Sequence, residues 1–185
     1  MNINIIVAMS KNNGIGYKNS LPWKISSDLK KFKKLTIGNK KNAIIMGKNT
    51  WLSINENILP KRDNLILSST LKIDILNNEN VAKSFSNMEE LKKYIFSKDY
   101  EEVWIIGGSQ IYNLFLNEDH EDSNLKINKI YVTYVDKDVE CDTFFPKINY
   151  NKYRFISQSI HKVEPNMYDF KIFDQVYNRN IYDKS

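Results

Sequence analysis

Short apolar runs alternate with amphipathic stretches along nearly the whole of this chain. A run of roughly four to eight apolar residues is typical of a strand that is buried on both faces, as in a parallel sheet. Amphipathic stretches between such runs are typical of the helices that cover the sheet. The pattern predicts an α/β fold, with strands at residues 3–8, 43–46, 65–68, 103–106, 130–135, 153–161 and 170–176 and helices at residues 26–36, 50–54, 88–96 and around 111–115.

The predicted helix at residues 26–36 carries a carboxylate that has two interpretations. Ser26 or Ser27 can cap this helix, which places Asp28 in its first turn, where the helix dipole favours an anion. A solvated carboxylate at a helix start is the commoner case. Apolar neighbours such as Phe32 instead favour a pocket, in which Asp28 needs a partner with two donors, such as an amidine-like N–C–N edge.

Two glycines separate the predicted strand at residues 103–106 from the helix that follows it. Gly107 and Gly108 would bring free backbone N–H groups and the positive end of a helix dipole together, which suits a pyrophosphate. Their spacing is not that of the G-x-G-x-x-G dinucleotide fingerprint. A tight turn that binds nothing is the alternative.

Two further strand ends carry one cation and several hydroxyl groups. They are residues 46–51 (MGKNTW) and residues 67–70 (LSST). If the carboxyl ends of these strands are neighbours in an open sheet, their side chains could grip a second phosphate. A capped short helix and an ordinary strand-end turn explain the same residues equally well.

Composition excludes several classes of protein. Hydrophobic residues make up 42% of the chain and charged residues 26%, as in folded globular proteins. Cys141 has no partner for an internal disulfide, and His120 and His161 are far apart in sequence, so we expect no metal site and a reducing, cytoplasmic location. No apolar run approaches the roughly 18 residues of a membrane span, and the N-terminus is typical of a first strand rather than a signal peptide.

The net charge of +5 has three interpretations. Because the lysines are scattered along the chain, a bias of composition is the simplest. A positive field that gathers an anionic small molecule is the second. Binding of nucleic acid is the third, but it requires a basic face with interleaved aromatic residues, which the predicted elements do not supply.

Taken together and in this order, these segments resemble the dihydrofolate reductase family. Any one of them is a weak signal, whereas the ordered set is very specific and spans about residues 3–176. The set comprises Gly14-Ile15-Gly16, Leu21-Pro22-Trp23, Asp28 with Phe32, residues 46–51, Leu59-Pro60-Lys61-Arg62, Leu67-Ser68-Ser69, Ile106-Gly107-Gly108-Ser109, Ile130-Tyr131-Val132-Thr133 and residues 142–146.

The resemblance implies a fold, a cofactor and a class of ligand. The fold is a single α/β domain with an eight-stranded, mostly parallel twisted sheet, a C-terminal antiparallel hairpin and helices on both faces. We expect the domain at residues 1–177, with an adenosine-binding subdomain at about 42–100, and a polar tail at 178–185. The cofactor is NADPH, and the ligands are dihydrofolate and antifolates.

The resemblance also implies which residues hold the pterin. Asp28 would bind its N3 and 2-amino groups, Thr133 would support that carboxylate through its hydroxyl group and a water, and Trp23 would order water beside it. Arg62 would pair with the α-carboxylate of the glutamate tail, a bidentate role that suits guanidinium. The pterin and aminobenzoyl groups would contact Ile6, Val7, Leu29, Phe32, Ile54, Leu59 and Ile106.

For the cofactor, the resemblance implies a nicotinamide site, a pyrophosphate site and a 2′-phosphate site. A cis peptide between Gly107 and Gly108 is expected. Backbone groups of Ala8 and Ile15 would fix the nicotinamide amide, and Lys48, Ser68 and Ser69, with Asn49, would bind the 2′-phosphate. The predicted cofactor residues are Ala8, Ile15, Gly16, Gly47, Lys48, Asn49, Thr50, Leu67, Ser68, Ser69, Gly107, Gly108, Ser109, Gln110, Ile111 and Tyr112.

The implied reaction moves a hydride from C4 of the nicotinamide to C6 of the pterin, while N5 gains a proton from water with Asp28 raising its basicity. An alternative is a related reductase that acts on a pyrimidine intermediate of riboflavin synthesis; Trp23, Asp28 and Arg62 argue against it. We expect a monomer, or one domain of a fusion with thymidylate synthase.

Overall fold

The computed structural model describes residues 1–39, 41–77, 80–119, 123–161 and 171–180. Four helices are present in these ranges: α1 (Ser26–Ile37), α2 (Lys48–Ser53), α3 (Met88–Phe96) and α4 (Ser109–Glu118). The strands are β1 (Asn2–Ser10), β2 (Gly14–Gly16), β3 (Asn42–Gly47), β4 (Asp63–Leu67), β5 (Asp74–Asn77), β6 (Asn80–Phe85), β7 (Glu102–Gly107), β8 (Ile127–Val135), β9 (Thr143–Phe144), β10 (Tyr153–Ile160) and β11 (Ile172–Arg179). The predicted alternation of strands and helices is therefore confirmed.

Nine strands form one sheet, in the order β10-β11-β8-β1-β7-β3-β4-β6-β5. The pairs from β8 to β6 are parallel, whereas β11 runs antiparallel to β8 and to β10. This confirms a mostly parallel sheet with an antiparallel C-terminal pair. The ninth strand is β5, which pairs antiparallel with β6 at the edge of the sheet and is exposed throughout. The resemblance implied eight strands, and the apolar pattern identified seven of the nine: it missed β5, which has no buried face, and β6, in which only Ala82 and Phe85 are buried.

Helices cover both faces of the sheet, as expected. Side chains alternate between the two faces along a strand, so neighbouring residues of β3 point in opposite directions. Ile45 packs in a cluster with Leu91 of α3 and Phe115 of α4. Ile44 packs in a second cluster with Trp51 of α2 and with residues of α1. Both isoleucines are fully buried, which explains why β3 is apolar on both sides.

The start of α1 differs from the prediction in its cap. Ile25 occupies the N-cap position in extended backbone, and no side chain accepts a capping hydrogen bond. The predicted serine cap is therefore wrong. Ser27 lies inside the helix, and its hydroxyl group is hydrogen-bonded to His161 Nε2 at 2.9 Å. A tertiary partner replaces the local cap, and Asp28 remains in the first turn as predicted.

The last strand extends beyond the predicted domain boundary. Asn178 and Arg179, which were expected in the polar tail, belong to β11 and pair with β8 or β10. Arg179 forms an ion pair with the fully buried Asp119, and this contact explains why a polar segment stays in the sheet. Residues 170 and 181–185 lie outside the described residues. Among the residues that are described, the helices are too short and too polar to span a membrane.

Candidate active site

The carboxyl ends of β1, β3, β4 and β7 open into one cavity of about 2140 Å³. This volume exceeds the roughly 300–1,000 Å³ of a site for one drug-sized ligand, so the cavity has room for two molecules side by side. Open parallel sheets bind ligands at this edge. All residues predicted to contact the substrate line the cavity: Ile6, Val7, Leu29, Phe32, Ile54, Leu59, Arg62 and Ile106.

Most of the predicted cofactor residues line the same cavity. Gly107 does not, and neither does Thr133, which was predicted to support the carboxylate. Thr133 is hydrogen-bonded to the lining residue Asp28, and Gly107 lies in sequence between the lining residues Ile106 and Gly108. The lining residues from the cofactor set are Ala8, Ile15, Gly16, Gly47, Lys48, Asn49, Thr50, Leu67, Ser68, Ser69, Gly108, Ser109, Gln110, Ile111 and Tyr112.

Asp28 projects from α1 into this cavity, so its carboxylate is not the solvated helix-start group of the commoner case. The hydroxyl group of Thr133 in β8 donates a hydrogen bond of 2.6 Å to Asp28 Oδ1. Burial raises the pKa of the Asp28 carboxyl above its ordinary value; the Thr133 hydrogen bond and the charges of Lys31 and His161 oppose this rise. The site thus contains a partly desolvated carboxylate whose charge is sensitive to its neighbours.

Two other predicted groups of the pterin region carry buried donors. Trp23 also lines the cavity and is buried, and its indole Nε1 has no hydrogen-bond partner among the described residues. The Arg62 guanidinium is almost fully buried, donates 2.6 Å from Nη1 to the Thr36 hydroxyl group and lies over the Phe32 ring. Burial lowers the pKa of Arg62 to about 10. No ion pair holds this cation in the part of the chain that the structure describes, so a ligand carboxylate would satisfy it.

The second half of the cavity carries the cation and hydroxyl groups that follow β3 and β4. Because β3 and β4 are parallel neighbours, Gly47 pairs with Leu67, and the residues after them meet at one edge. Lys48 Nζ donates a hydrogen bond of 3.1 Å to the Thr70 hydroxyl group. Thr70 lines the cavity together with Ser68 and Ser69. It belongs to the segment 67–70 whose hydroxyl groups were considered for a phosphate, but not to the cofactor residues that the resemblance implied.

The two glycines before α4 adopt the geometry that the resemblance implied. The Gly107–Gly108 peptide is cis, and Gly107 has a φ of 106°, which favours glycine. A Cβ atom on Gly107 would lie 2.8 Å from the Tyr112 ring. A side chain is also excluded at Gly47, where a Cβ atom would lie 2.9 Å from Ile111 Cγ1. The absence of side chains at Gly47 and Gly107 lets β3, β7 and the start of α4 approach closely beside the cavity.

A polar cluster adjoins Asp28, and of its members only Thr133 was predicted. Lys31 Nζ donates to Thr133 Oγ1 at 3.2 Å and to Asp174 Oδ1 at 2.5 Å. His161 Nδ1 lies 2.8 Å from the same Asp174 oxygen. These residues come from α1, β8, β11 and the end of β10, so no local pattern in the sequence could have joined them.

Comparison with known proteins agrees with the geometry. The sequence model of the dihydrofolate reductase family matches residues 2–179. A dihydrofolate reductase of Buchnera aphidicola (subsp. Baizongia pistaciae) is 43% identical over 157 residues, which are 84% of this chain and 84% of that protein. A bifunctional dihydrofolate reductase-thymidylate synthase of Arabidopsis thaliana is 36% identical over 81% of this chain and 27% of its own length.

The fold agrees with that of a solved structure. Dihydrofolate reductase from Enterococcus faecalis, complexed with NADP(H) and RAB-propyl, superimposes with a TM-score of 0.76 at 24% sequence identity, and 97% of each chain is covered. The family match spans every described helix and strand, from the first residue of β1 to the last of β11. This chain belongs to the dihydrofolate reductase family.

Proposed function

We propose that this protein reduces 7,8-dihydrofolate to 5,6,7,8-tetrahydrofolate with NADPH. The observation that carries the proposal is the Asp28 carboxylate, which faces a cavity large enough for two ligands in a chain of this family. Dihydrofolate offers this carboxylate an N–C–N edge with two donors, and charge-assisted pairs of this kind are among the stronger hydrogen bonds in proteins. Antifolates with a similar amidine-like edge would bind the same group.

Arg62 supports a substrate with an anionic tail. Its guanidinium is buried at the cavity wall, beside the apolar side chains of Phe32 and Leu59. A buried cation is costly unless it is paired, and a planar carboxylate is its best geometric partner. We therefore assign Arg62 to the α-carboxylate of the glutamate moiety and the apolar residues around it to the pterin and aminobenzoyl groups.

The residues of the second half of the cavity fit NADPH. Lys48, Ser68 and Ser69 supply a cation and two hydroxyl groups for the 2′-phosphate, and residues 42–100 would hold the adenosine half. A Cβ atom on Gly108 would meet Thr50 Oγ1 at 3.5 Å and no closer described atom, so this glycine leaves the N-terminus of α4 open to a pyrophosphate. Backbone groups of Ala8 and Ile15 would hold the nicotinamide amide. NADPH, when bound, supplies the hydride that its nicotinamide C4 transfers to pterin C6.

The protein aligns the two rings and promotes the protonation of N5. Stacking of reactants at near-attack distance contributes up to roughly 7–11 kcal/mol in favourable cases. Asp28 binds the ring edge, and its negative charge raises the basicity of N5, to which water delivers the proton. Trp23, which lines the same cavity as Asp28 and whose indole N–H has no partner among the described residues, would order that water.

Oxidation of NADPH in the presence of dihydrofolate, followed by nicotinamide absorbance, tests the activity. We expect turnover by the parent protein, and absence of turnover would refute the proposal. Asp28→Asn should lose most activity at neutral pH and recover part of it in acid, where the substrate arrives already protonated. Asp99→Asn, at a largely exposed side chain far from the cavity, is the matched control and should retain parental rates. A loss in Asp28→Asn that is equal at every pH would contradict the role of Asp28.

A further inference from the structure

Lys31 lies one helical turn after Asp28 on α1, and its ammonium group reaches the hydroxyl group that holds the Asp28 carboxylate. Lys31 Nζ donates to Thr133 Oγ1 at 3.2 Å, and Thr133 Oγ1 donates to Asp28 Oδ1 at 2.6 Å. The ammonium group and the carboxylate are therefore joined through one hydroxyl group. Lys31 is half-buried and does not line the cavity, so it reaches a ligand only through Thr133 and Asp28.

The direction of these hydrogen bonds follows from the chemistry of the groups. An ammonium group has three donors and no acceptor, whereas a hydroxyl group has one proton and two lone pairs. Thr133 must accept from Lys31, and its single proton is thereby directed to Asp28. We infer that Lys31 is a positioning residue for Asp28: it orients the Thr133 hydroxyl group as a donor and keeps the carboxylate ionised for binding of the pterin.

The position of Lys31 is fixed from the opposite side. Asp174 in β11 accepts from Lys31 at 2.5 Å, and the side chain of His161 lies 2.8 Å from the same oxygen. His161 is held in turn by Ser27, which is the neighbour of Asp28 on α1. Because Asp174 pairs with Thr133 in the sheet register, Lys31 bridges two strands and the helix above them. This anchoring limits the rotamers that an exposed lysine would sample.

The groups around Asp28 shift its pKa in opposite directions. Burial and the negative charge of Asp174 raise the pKa of Asp28, whereas the Thr133 hydrogen bond, Lys31 and His161 lower it. Tyr112 of α4 also faces Asp28, and burial together with that carboxylate raises the pKa of its phenol, which remains protonated. Lys31 thus supplies a cation on the side of the carboxylate away from the cavity, where a ligand does not displace it.

The test measures the titration of Asp28 in protein without ligands. Aspartate residues labelled with ¹³C at the carboxyl carbon are followed by NMR, and the Asp28 signal is assigned by its loss in Asp28→Asn. Lys31→Met keeps the apolar stem and removes the charge. We expect it to raise the pKa of Asp28 by about one pH unit, the lower end of the usual effect of a nearby opposite charge. Lys30→Met, at the exposed neighbouring lysine, is the matched control and should leave the value unchanged.

A double-mutant cycle separates positioning from attraction through space. Thr133→Val removes the bridging hydroxyl group with little change of shape, and in that background Lys31→Met should raise the pKa of Asp28 by less than half as much. Lys31→Arg retains the charge and should stay close to the parent. An unchanged Asp28 titration in Lys31→Met, or a full additive shift in the Thr133→Val background, would overturn the inference.

The effect on turnover depends on the proposed function, and the NMR titration does not. In the reductase assay, Lys31→Met should move the acid limb of kcat/KM for dihydrofolate to higher pH by the same amount as the Asp28 titration. If the parent protein does not oxidise NADPH with dihydrofolate, the proposed function fails while the titration still tests Lys31. If the parent is active and the acid limb of Lys31→Met does not move, Lys31 has no role in the reaction.

Discussion

Replacement of Arg62 by methionine should separate binding of the substrate tail from binding of the ring. Arg62 lies at the cavity wall, and only 2% of the surface of this residue is exposed. Its protein contacts are a 2.6 Å hydrogen bond to the Thr36 hydroxyl group, a longer one to the Lys33 carbonyl and the face of Phe32. Methionine keeps the apolar stem in place, so the wall of the cavity should persist without its charge.

The size of the effect follows from the bonds that a carboxylate would make with this cation. A charge-assisted hydrogen bond to a buried group contributes about 1.5–3 kcal/mol, and every 1.4 kcal/mol is a factor of ten in affinity. We therefore expect Arg62→Met to weaken folate binding roughly 10- to 150-fold. A pterin without the aminobenzoylglutamate tail, such as 6-methyl-7,8-dihydropterin, should bind the variant and the parent equally well.

Quenching of tryptophan fluorescence gives both dissociation constants, because Trp23 lines the same cavity. Lys34→Met is the matched control. It also removes one positive charge, but at an exposed residue of α1 that does not line the cavity, so it reports the effect of net charge alone. Equal weakening of folate and of the tailless pterin in Arg62→Met would refute the assignment of Arg62 to the glutamate carboxylate. A loss of folate affinity in Lys34→Met as large as that in Arg62→Met would also refute it.

Two other substitutions test the remaining parts of the site. Lys48→Ala should lower kcat/KM for NADPH about tenfold or more and leave kcat/KM for NADH nearly unchanged, because only NADPH carries the 2′-phosphate. Lys72→Ala, at an exposed lysine, is the control. Equal losses with both cofactors would show that Lys48 does not bind the 2′-phosphate. Asp28→Asn should raise the thermal unfolding temperature of the ligand-free protein at neutral pH. Burial raises the pKa of Asp28 in the folded state, so the neutral carboxyl group is compatible with folding and the ionised one is destabilising. The stabilising contribution of Asp28 is therefore fully present below its unfolded pKa and is lost as pH rises through its folded pKa. The gain should therefore disappear in acid, and a gain that persists unchanged at low pH would contradict this reasoning.

Much of the core could be predicted from local patterns, and the errors share one cause. The apolar run that contains Ile44 and Ile45 identified β3 because both faces of that strand are buried. The prediction missed β5, whose four residues are all exposed, and β6, of which only Ala82 and Phe85 are buried, and it assigned Asn178 and Arg179 to a polar tail. In these places, pairing with a neighbouring strand, and at Arg179 also the ion pair with Asp119, holds the segment in the sheet without an apolar run. The serine cap of α1 failed for a related reason, since the partner of Ser27 is His161, 134 residues away.

In the cavity, too, local patterns predicted some features and tertiary contacts decided the others. Strand-end residues such as Lys48 and Ser68 were expected to meet only if their strands were neighbours, and the parallel register of β3 and β4 brings them to one edge. Thr70, the last residue of the segment 67–70, lines the cavity beside the two serines. For Asp28, the sequence allowed either a solvated carboxylate or a carboxylate in a pocket. The structure shows the second, because Asp28 lines the cavity and accepts a hydrogen bond from Thr133 of β8.

By itself, the sequence determined the α/β class, the family and the chemical types of group around the cavity, since periodicity and ordered motifs are properties of neighbouring residues. The tertiary structure decided which distant side chains touch. In the sequence, nothing distinguishes Lys31 from the other lysines of its helix, or Asp174 and His161 from the polar residues around them. They form one network because the antiparallel register of β8 and β11 sets Asp174 beside Thr133, under the turn of α1 that carries Lys31. Register depends on the burial of whole strands, so no single segment encodes it.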